Sequence, residues 1–293
     1  MKASVECIPC YFRQILSIVQ RVTRDEALQE RVFKEVGRDV LPRLTLEKSP
    51  AENTYEIIKA IDRIFGSPLD PFSEERDKYN RIALNMYSEL WDIVHSAPEM
   101  LRTAVQVAVA GNIIDLGILE AFDIRRTLEN ILVKGFAIDH FAQFKDAVLK
   151  AKNILYLLDN AGEIVFDRIL IETTKSMFPE KHIIAAVNEG PILNDATYSD
   201  ALMVGLGKVA EVITTGTDTI GKHPEKGQPS EGFREAFSSA DVIIAKGHGN
   251  YEMLNDTTYN IFFILQAKCN VVAKSLGVKV GDAVLLKNGT IRT

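Results

Sequence analysis

Two acids and an amide stand directly behind an apolar run in LLDNAGEIVFD, residues 157–167: Asp159, Asn160 and Glu163. Carboxylate and amide oxygens suit a hard divalent cation such as Mg²⁺ or Mn²⁺, whereas a thiolate-rich site favours zinc. Asp, Asn and Gly are equally ordinary in turns and helix caps, so one such cluster is also read as a simple βα turn. Two more clusters follow comparable runs: Asn188 and Glu189, then Asn194 and Asp195, in AAVNEGPILNDAT, and Lys246 with Gly247, Gly249 and Asn250 in IIAKGHGN. A lysine beside glycines, whose backbone admits close approach, suits a phosphate oxygen. Acids, amides and one lysine together suit phosphoryl transfer, in which a divalent ion fixes the phosphorus for in-line attack and Lys246 stabilises the equatorial oxygens. The nucleophile is either the Asp159 carboxylate or a water molecule. Glu163, four residues after Asp159, reaches back as a base or as a hydrogen-bond anchor if a helix begins there. His248 is read as a loop residue outside the site.

The grammar of the chain places these clusters. Up to about residue 140 the apolar spacing is helical: Tyr11 to Val22 puts Phe12, Ile15, Leu16 and Val19 on one face, and Thr54 to Phe65 repeats it with Ile57, Ile58, Ile61 and Ile64. Turns are marked by Leu41-Pro42, Ser49-Pro50 and Gly66-Ser67-Pro68, and helical patterns return over Lys78 to Val94 and from Met100 into TAVQVAVAGNIIDLG. Small residues in that last segment permit close helix packing. After about Lys152 the chain alternates short β-rich runs, NILYLLDN, HIIAAVNE, EVITTG, DVIIAKGHGN and NVVAKSLGV, with helical stretches such as Glu163 to Phe178 and Glu231 to Ser239. The expected fold is α/β: a mainly helical domain over residues 1–148 packed on a Rossmann-like, mostly parallel three-layer domain over 149–293 that carries the site. Four or five buried strands are enough for such a core, with ligands expected beyond their carboxyl ends, where the polar clusters fall.

Composition narrows the function classes. The 293 residues are 46% hydrophobic and 25% charged, the profile of a soluble globular protein. A net charge of −6 argues against a general nucleic-acid or anionic-membrane surface while allowing a local pocket for a small anion. No apolar run is long enough to span a bilayer and MKASVECIPC lacks a secretion-signal core, so a cytoplasmic location is expected. The sequence does not specify an oligomeric state.

Cys7 and Cys10 have the C-x-x-C spacing of metal and redox motifs, and Cys269 is the one further cysteine. Buried quiet thiols and a second metal or redox site are both open readings, whereas a thioredoxin-like role lacks room for a strand before Cys7. A rival fingerprint is VGLGKVAEV, where Gly205, Gly207 and Ala210 match the G-x-G-x-x-A pattern of a nucleotide- or NAD-binding protein without phosphatase activity. It fails on context: no helix pattern follows, VITT does, and the acid about 20 residues on, Glu225, lies in loop-like sequence.

The chain resembles the metal-dependent damage-control phosphatase family, formerly domain of unknown function 89, in its prokaryotic branch with an N-terminal CxxC. The resemblance rests on ECIPCYFRQ, AGNIIDLG, LLDNAGEIVFD, VNEGPILNDAT, AKGHGNYE and AKCNVVA, which run through nearly the whole length. It implies a helical N-terminal portion on a Rossmann-like domain, and hydrolysis of phosphate monoesters, with sugar phosphates or damaged and surplus phosphorylated metabolites as substrates. It also implies a divalent ion, Mg, Mn, Co or Ni, held by residues that look like Asp159, Asn160 and Asp195. Lys246 matches the lysine expected at the phosphoryl group, and Glu163, Asn112 and Asp115 match positions around the pocket. Asn188, Gly247 and Asn250 complete the expected substrate-binding set.

Overall fold

The computed structural model describes residues 1–112 and 121–290; within 121–127, side chains are described only for residue 126. The chain opens with helices α1 (Ile8–Val22), α2 (Glu26–Asp39), α3 (Pro50–Phe65), α4 (Ser73–His95), α5 (Met100–Gly111) and α6 (Ala121–Lys134). Their ends follow the local chemistry. Asp25 caps α2 by accepting from the Ala27 and Leu28 N–H groups, and Ser49 and Glu52 form a capping box at α3, which begins on Pro50 and ends on left-handed Gly66. Buried Ile15, Val19, Val32, Val36, Ile57 and Ile61 knit α1 to α3 into one cluster. The expected face of α1 is corrected in part: Tyr11 and Ile18 join Ile15 and Val19 in the core, while Phe12 and Leu16 are exposed.

Seven strands form one sheet: β1 (Ile138–Asp139), β2 (Asn153–Leu157), β3 (His182–Val187), β4 (Glu211–Thr214), β5 (Val242–Lys246), β6 (Ile261–Gln266) and β7 (Ala283–Lys287), in the order β1-β7-β6-β5-β2-β3-β4. β2 to β6 are mutually parallel, β7 pairs antiparallel to β6, and β1 runs parallel to β7. Alternation along the strands separates two cores. Ile154, Tyr156, Ile244 and Phe262 share one core with α4, α5, α7 (Phe141–Lys150), α8 (Glu163–Met177) and α9 (Tyr198–Met203). Leu155, Leu157, Ile243 and Phe263 face α10 (Glu231–Ser239), α11 (Gly247–Leu254) and α12 (Asn270–Leu276). The layers are helix, sheet and helix, as expected for the α/β class.

Gly111 lies against α8, where a methyl carbon at that position would stand 2.7 Å from Phe166 Cβ, so the small residues of α5 do serve close packing. NVVAKSLGV is corrected from strand to helix: it holds α12, which starts after Cys269 and ends on left-handed Gly277. β-branched Val271 and Val272 point to strand by propensity, but tertiary packing of Val272, Ala273 and Leu276 on the sheet decides the outcome. IFFILQ and AVLLK supply strands in its place. No helix among the described residues is long and apolar enough to cross a membrane.

Candidate active site

β2 is central, with β3 and β4 on one side and β5, β6 and β7 on the other, so the chain reverses direction of growth between β2 and β5. Loops leaving adjacent strands diverge at such a point and open a crevice. The three polar clusters meet there. A backbone clamp joins the first two: the Ala196 N–H donates to the Asp159 carbonyl at 2.8 Å and the Ala161 N–H to the Asn194 carbonyl at 2.9 Å, with Asn160 and Asp195 in an antiparallel bridge. Leu193, just before, holds a left-handed φ of 49°, a conformation that costs roughly 1–3 kcal/mol and recurs at functional sites. Arg76, ion-paired to Asp70 and Asp200, donates to the Leu193 carbonyl at 3.4 Å.

The β5 cluster reaches Asp159 from the other side. Gly247 has φ +73° and packs its Cα against Asp159, so that a Cβ would overlap the carboxylate outright. Lys246 is fully buried, and its ammonium donates to Glu163 Oε1 and Asp167 Oδ1, both at 2.6 Å, and to the Ala108 carbonyl at 2.9 Å. Those three acceptors use all three of its N–H groups. Glu163, in the first turn of α8, also accepts from Asn112 Nδ2 at 2.9 and 3.0 Å and from Asn160 Nδ2 at 3.3 Å. Asn112 in turn accepts the Gln266 N–H at 3.1 Å and stands 3.4 Å from Asp159 Oδ2. Asp159, Asn160, Glu163, Asn112 and Lys246 thus form one buried network, with Glu163 as its anchor.

Asn188 Nδ2 donates to Asp195 Oδ2 at 2.9 Å. Asn250 is spent on the backbone: its amide donates to the Lys246 carbonyl at 2.8 Å and accepts the Lys222 N–H at 2.8 Å, which ties the 220–222 loop to the β5 turn. Asp115 lies outside the described residues. Burial, then the charges of Glu163 and Asp195, push the Asp159 carboxyl well above its ordinary range, with Lys268 and Lys222 opposing. Burial lifts Asp195 to about 6 against Lys222 and the Asn188 hydrogen bond. Two crowded acids beside an amide are a donor set that a cation stabilises, and oxygen donors fit a hard divalent ion.

A cavity of about 580 Å³ opens above these groups, lined by Asp159, Asn160, Asn194 and Asp195 on one wall. Cys7, and Cys10, Tyr11, Arg13 and Gln14 from the start of α1, line it elsewhere together with Cys269, His248, Glu252 and Lys268. Cys7, Cys10 and Cys269 are free thiols, and among the described residues no three His, Cys, Asp or Glu side chains are grouped to hold a metal. The sequence reading missed Asp167, Lys222, Lys268 and the place of His248 in this wall. Glu163 and Asp167, four apart in the otherwise apolar EIVFD, carried a signal of paired acids on one helix face. The Gly205 fingerprint forms a 3-10 turn, Leu206–Lys208, leading into β4, with no long helix after it.

The profile of the damage-control phosphatase ARMT1-like domain matches residues 3–284. A damage-control phosphatase of Pyrococcus horikoshii is 36% identical, over 98% of this chain and 99% of its own. One of Archaeoglobus fulgidus is 32% identical over 97% and 98%. The crystal structure of a DUF89 family protein from Pyrococcus horikoshii superposes with a TM-score of 0.88 at 35% identity, covering 98% of this chain and 99% of that one. With the profile spanning nearly the whole length and relatives of this identity end to end, the chain belongs to the damage-control phosphatase ARMT1-like family.

Proposed function

We propose that this protein is a metal-dependent phosphatase that hydrolyses small phosphate monoesters, sugar phosphates or damaged and surplus phosphorylated metabolites, at the Asp159–Asn160–Asp195 cluster. One observation carries the reading: two buried carboxylates and an amide meet at the sheet's switch point, on the wall of a cavity of about 580 Å³. Family membership supports the phosphatase class. Asp159, Asn160 and Asp195 hold a divalent ion, one of Mg, Mn, Co or Ni, which supplies charge neutralisation at the phosphoryl group. The chain's own residues fix the geometry. Glu163 and Asn112 orient Asn160 and Asp159 from behind, and Lys246 ties Glu163 and Asp167 of α8 to the Ala108 carbonyl of α5. Lys268, on the cavity wall, adds positive charge facing the same space. The starts of α1 and α3 line the same cavity, and in this reading they receive the leaving group.

The test is a panel of phosphorylated metabolites assayed for phosphate release with Mg²⁺, Mn²⁺, Co²⁺ and Ni²⁺. Hydrolysis of at least one monoester is expected, and Asp159→Ala and Asp195→Ala each abolish it while circular dichroism retains the fold. A well-folded protein inactive across the panel refutes the enzymatic reading; retained activity in either variant refutes the ligand assignment.

A further inference from the structure

Three lysines are buried among the described residues, Lys181, Lys222 and Lys246. Two are satisfied by their surroundings: Lys246 donates to three acceptors, and Lys181 donates to the Leu149 and Ala151 carbonyls at 3.0 and 2.7 Å. Lys222 is different. Its side chain is 1% exposed, its ammonium has no hydrogen-bond partner among the described residues, and the carboxylate beside it, Asp195 Oδ2, lies at 3.9 Å. A buried ammonium with unused donors is among the more costly groups a fold can retain.

The backbone that presents it is fixed. Gly221, at φ +71°, is pressed so closely on the Gly249 carbonyl that no side chain fits, and the Lys222 N–H is held by Asn250. The loop is therefore bolted to the turn that carries Lys246 and Gly247. Two more buried polar atoms lack partners among the described residues: Oδ1 of Asn188, whose Nδ2 donates to Asp195, and Nδ2 of Asn194, which lines the cavity. Two sets of N–H donors, from Lys222 beside Asp195 and from Asn194 on the cavity wall that Asp195 shares, thus have nothing to donate to among the described residues, while the donors of Lys246 are already committed.

We propose that Lys222, with the Asn194 amide, binds the phosphoryl group of the substrate, donating to an oxygen presented beside Asp195. This rests on the phosphatase reading and moves the phosphoryl-binding cation from Lys246 to Lys222. A rigid loop places a charged donor where the anion arrives, and the anion supplies the acceptors that the protein does not.

Inorganic phosphate is the probe. Calorimetric titration of phosphate into the Mn²⁺-supplemented wild type and Lys222→Met, which preserves length without charge, is expected to show affinity falling about tenfold to a hundredfold in the variant. Mn²⁺ affinity should hold or tighten, because a cation beside Asp195 has been removed. A purely structural role predicts instead that Mn²⁺ affinity falls with phosphate affinity or that phosphate affinity is unchanged, and either result overturns the proposal. If Lys222→Met does not fold, Lys222→Gln is measured in the same way, with a drop of at least fivefold expected and no drop counting against. A wild type that binds phosphate through Lys222 yet hydrolyses no monoester sinks the phosphatase reading and leaves this inference standing. A wild type that hydrolyses monoesters while Lys222→Met keeps its phosphate affinity and KM does the reverse.

Discussion

Gly247→Ala isolates how far the site depends on one close approach. The added methyl meets two penalties. Gly247 sits at φ +73°, a left-handed conformation that costs a residue with a side chain roughly 1–2 kcal/mol. The new Cβ also falls inside the van der Waals envelopes of Asp159 Cγ and Oδ2, and 3.0 Å from Oδ1. Because carbon and oxygen at rest keep well over 3 Å, Asp159 or the turn must move by something on the order of 1 Å, and such overpacking typically costs about 1–3 kcal/mol. The combined loss is about 2–5 kcal/mol, several degrees or more of melting temperature for a chain of this size. The effect on catalysis is larger in proportion, since a displacement of about 1 Å in a reacting constellation lowers the rate roughly 100-fold. Gly66→Ala is the control: its φ is +79° and nothing lies within 4 Å of the added methyl, so only the backbone penalty remains. Thermal melts and kcat/KM of both variants, with Mn²⁺ affinity by calorimetry, make the comparison. Should Gly247→Ala match Gly66→Ala in melting temperature and the wild type in kcat/KM, the argument that this glycine seats Asp159 is wrong.

Other perturbations read the surrounding network. Lys246→Met leaves Glu163 and Asp167 buried without their cation, and urea unfolding should show a loss of about 3–5 kcal/mol, partly recovered when Asp167→Asn is added. Burial lifts the Glu252 carboxyl from 4.5 to about 7, so the folded state holds a proton that the unfolded state has released; this contribution is full below pH 4.5 and lost as pH rises through 7. Glu252→Gln should therefore stabilise the protein by about 2–3 kcal/mol at pH 8 and by much less at pH 5, and melts showing an equal gain at both would refute the assignment. Gly111→Ala should cost about 1–3 kcal/mol by parting α5 from α8, and truncating Phe166 should not restore it because the nearest atom is its Cβ.

Much of this was written in the sequence, and what escaped did so for definable reasons. β2, β3 and β5 announce themselves as short apolar runs closed by polar residues, and α8 and α10 by their period. IFFILQ carries the same kind of apolar run but ends in no chemistry, so nothing in it draws notice, while the valines of α12 mislead because propensity is weaker than packing. The site residues were legible as types, but their partners were not. That Lys246 spends its donors on Glu163, Asp167 and Ala108 depends on how α5 and α8 lie across the sheet. Lys222 stands in GKHPEKGQP, a segment without periodicity, and the Gly221 contact with Gly249 together with the Asn250 hydrogen bond to its N–H brings it to Asp195.

The bond from Lys246 to the Ala108 carbonyl spans 138 residues of chain. During synthesis Glu163 and Asp167 emerge long before the lysine that neutralises them, and the turn that seats Asp159 emerges directly behind that lysine. A nascent chain therefore carries its acids uncompensated until β5 is made, and this corner of the molecule closes late. Contacts of such separation form slowly because a long loop must first be ordered. Premature termination before residue 246 removes the cation along with the turn, so a truncated product has an unfinished core and no assembled acid cluster, which makes it a natural target for proteolysis rather than a partly active enzyme.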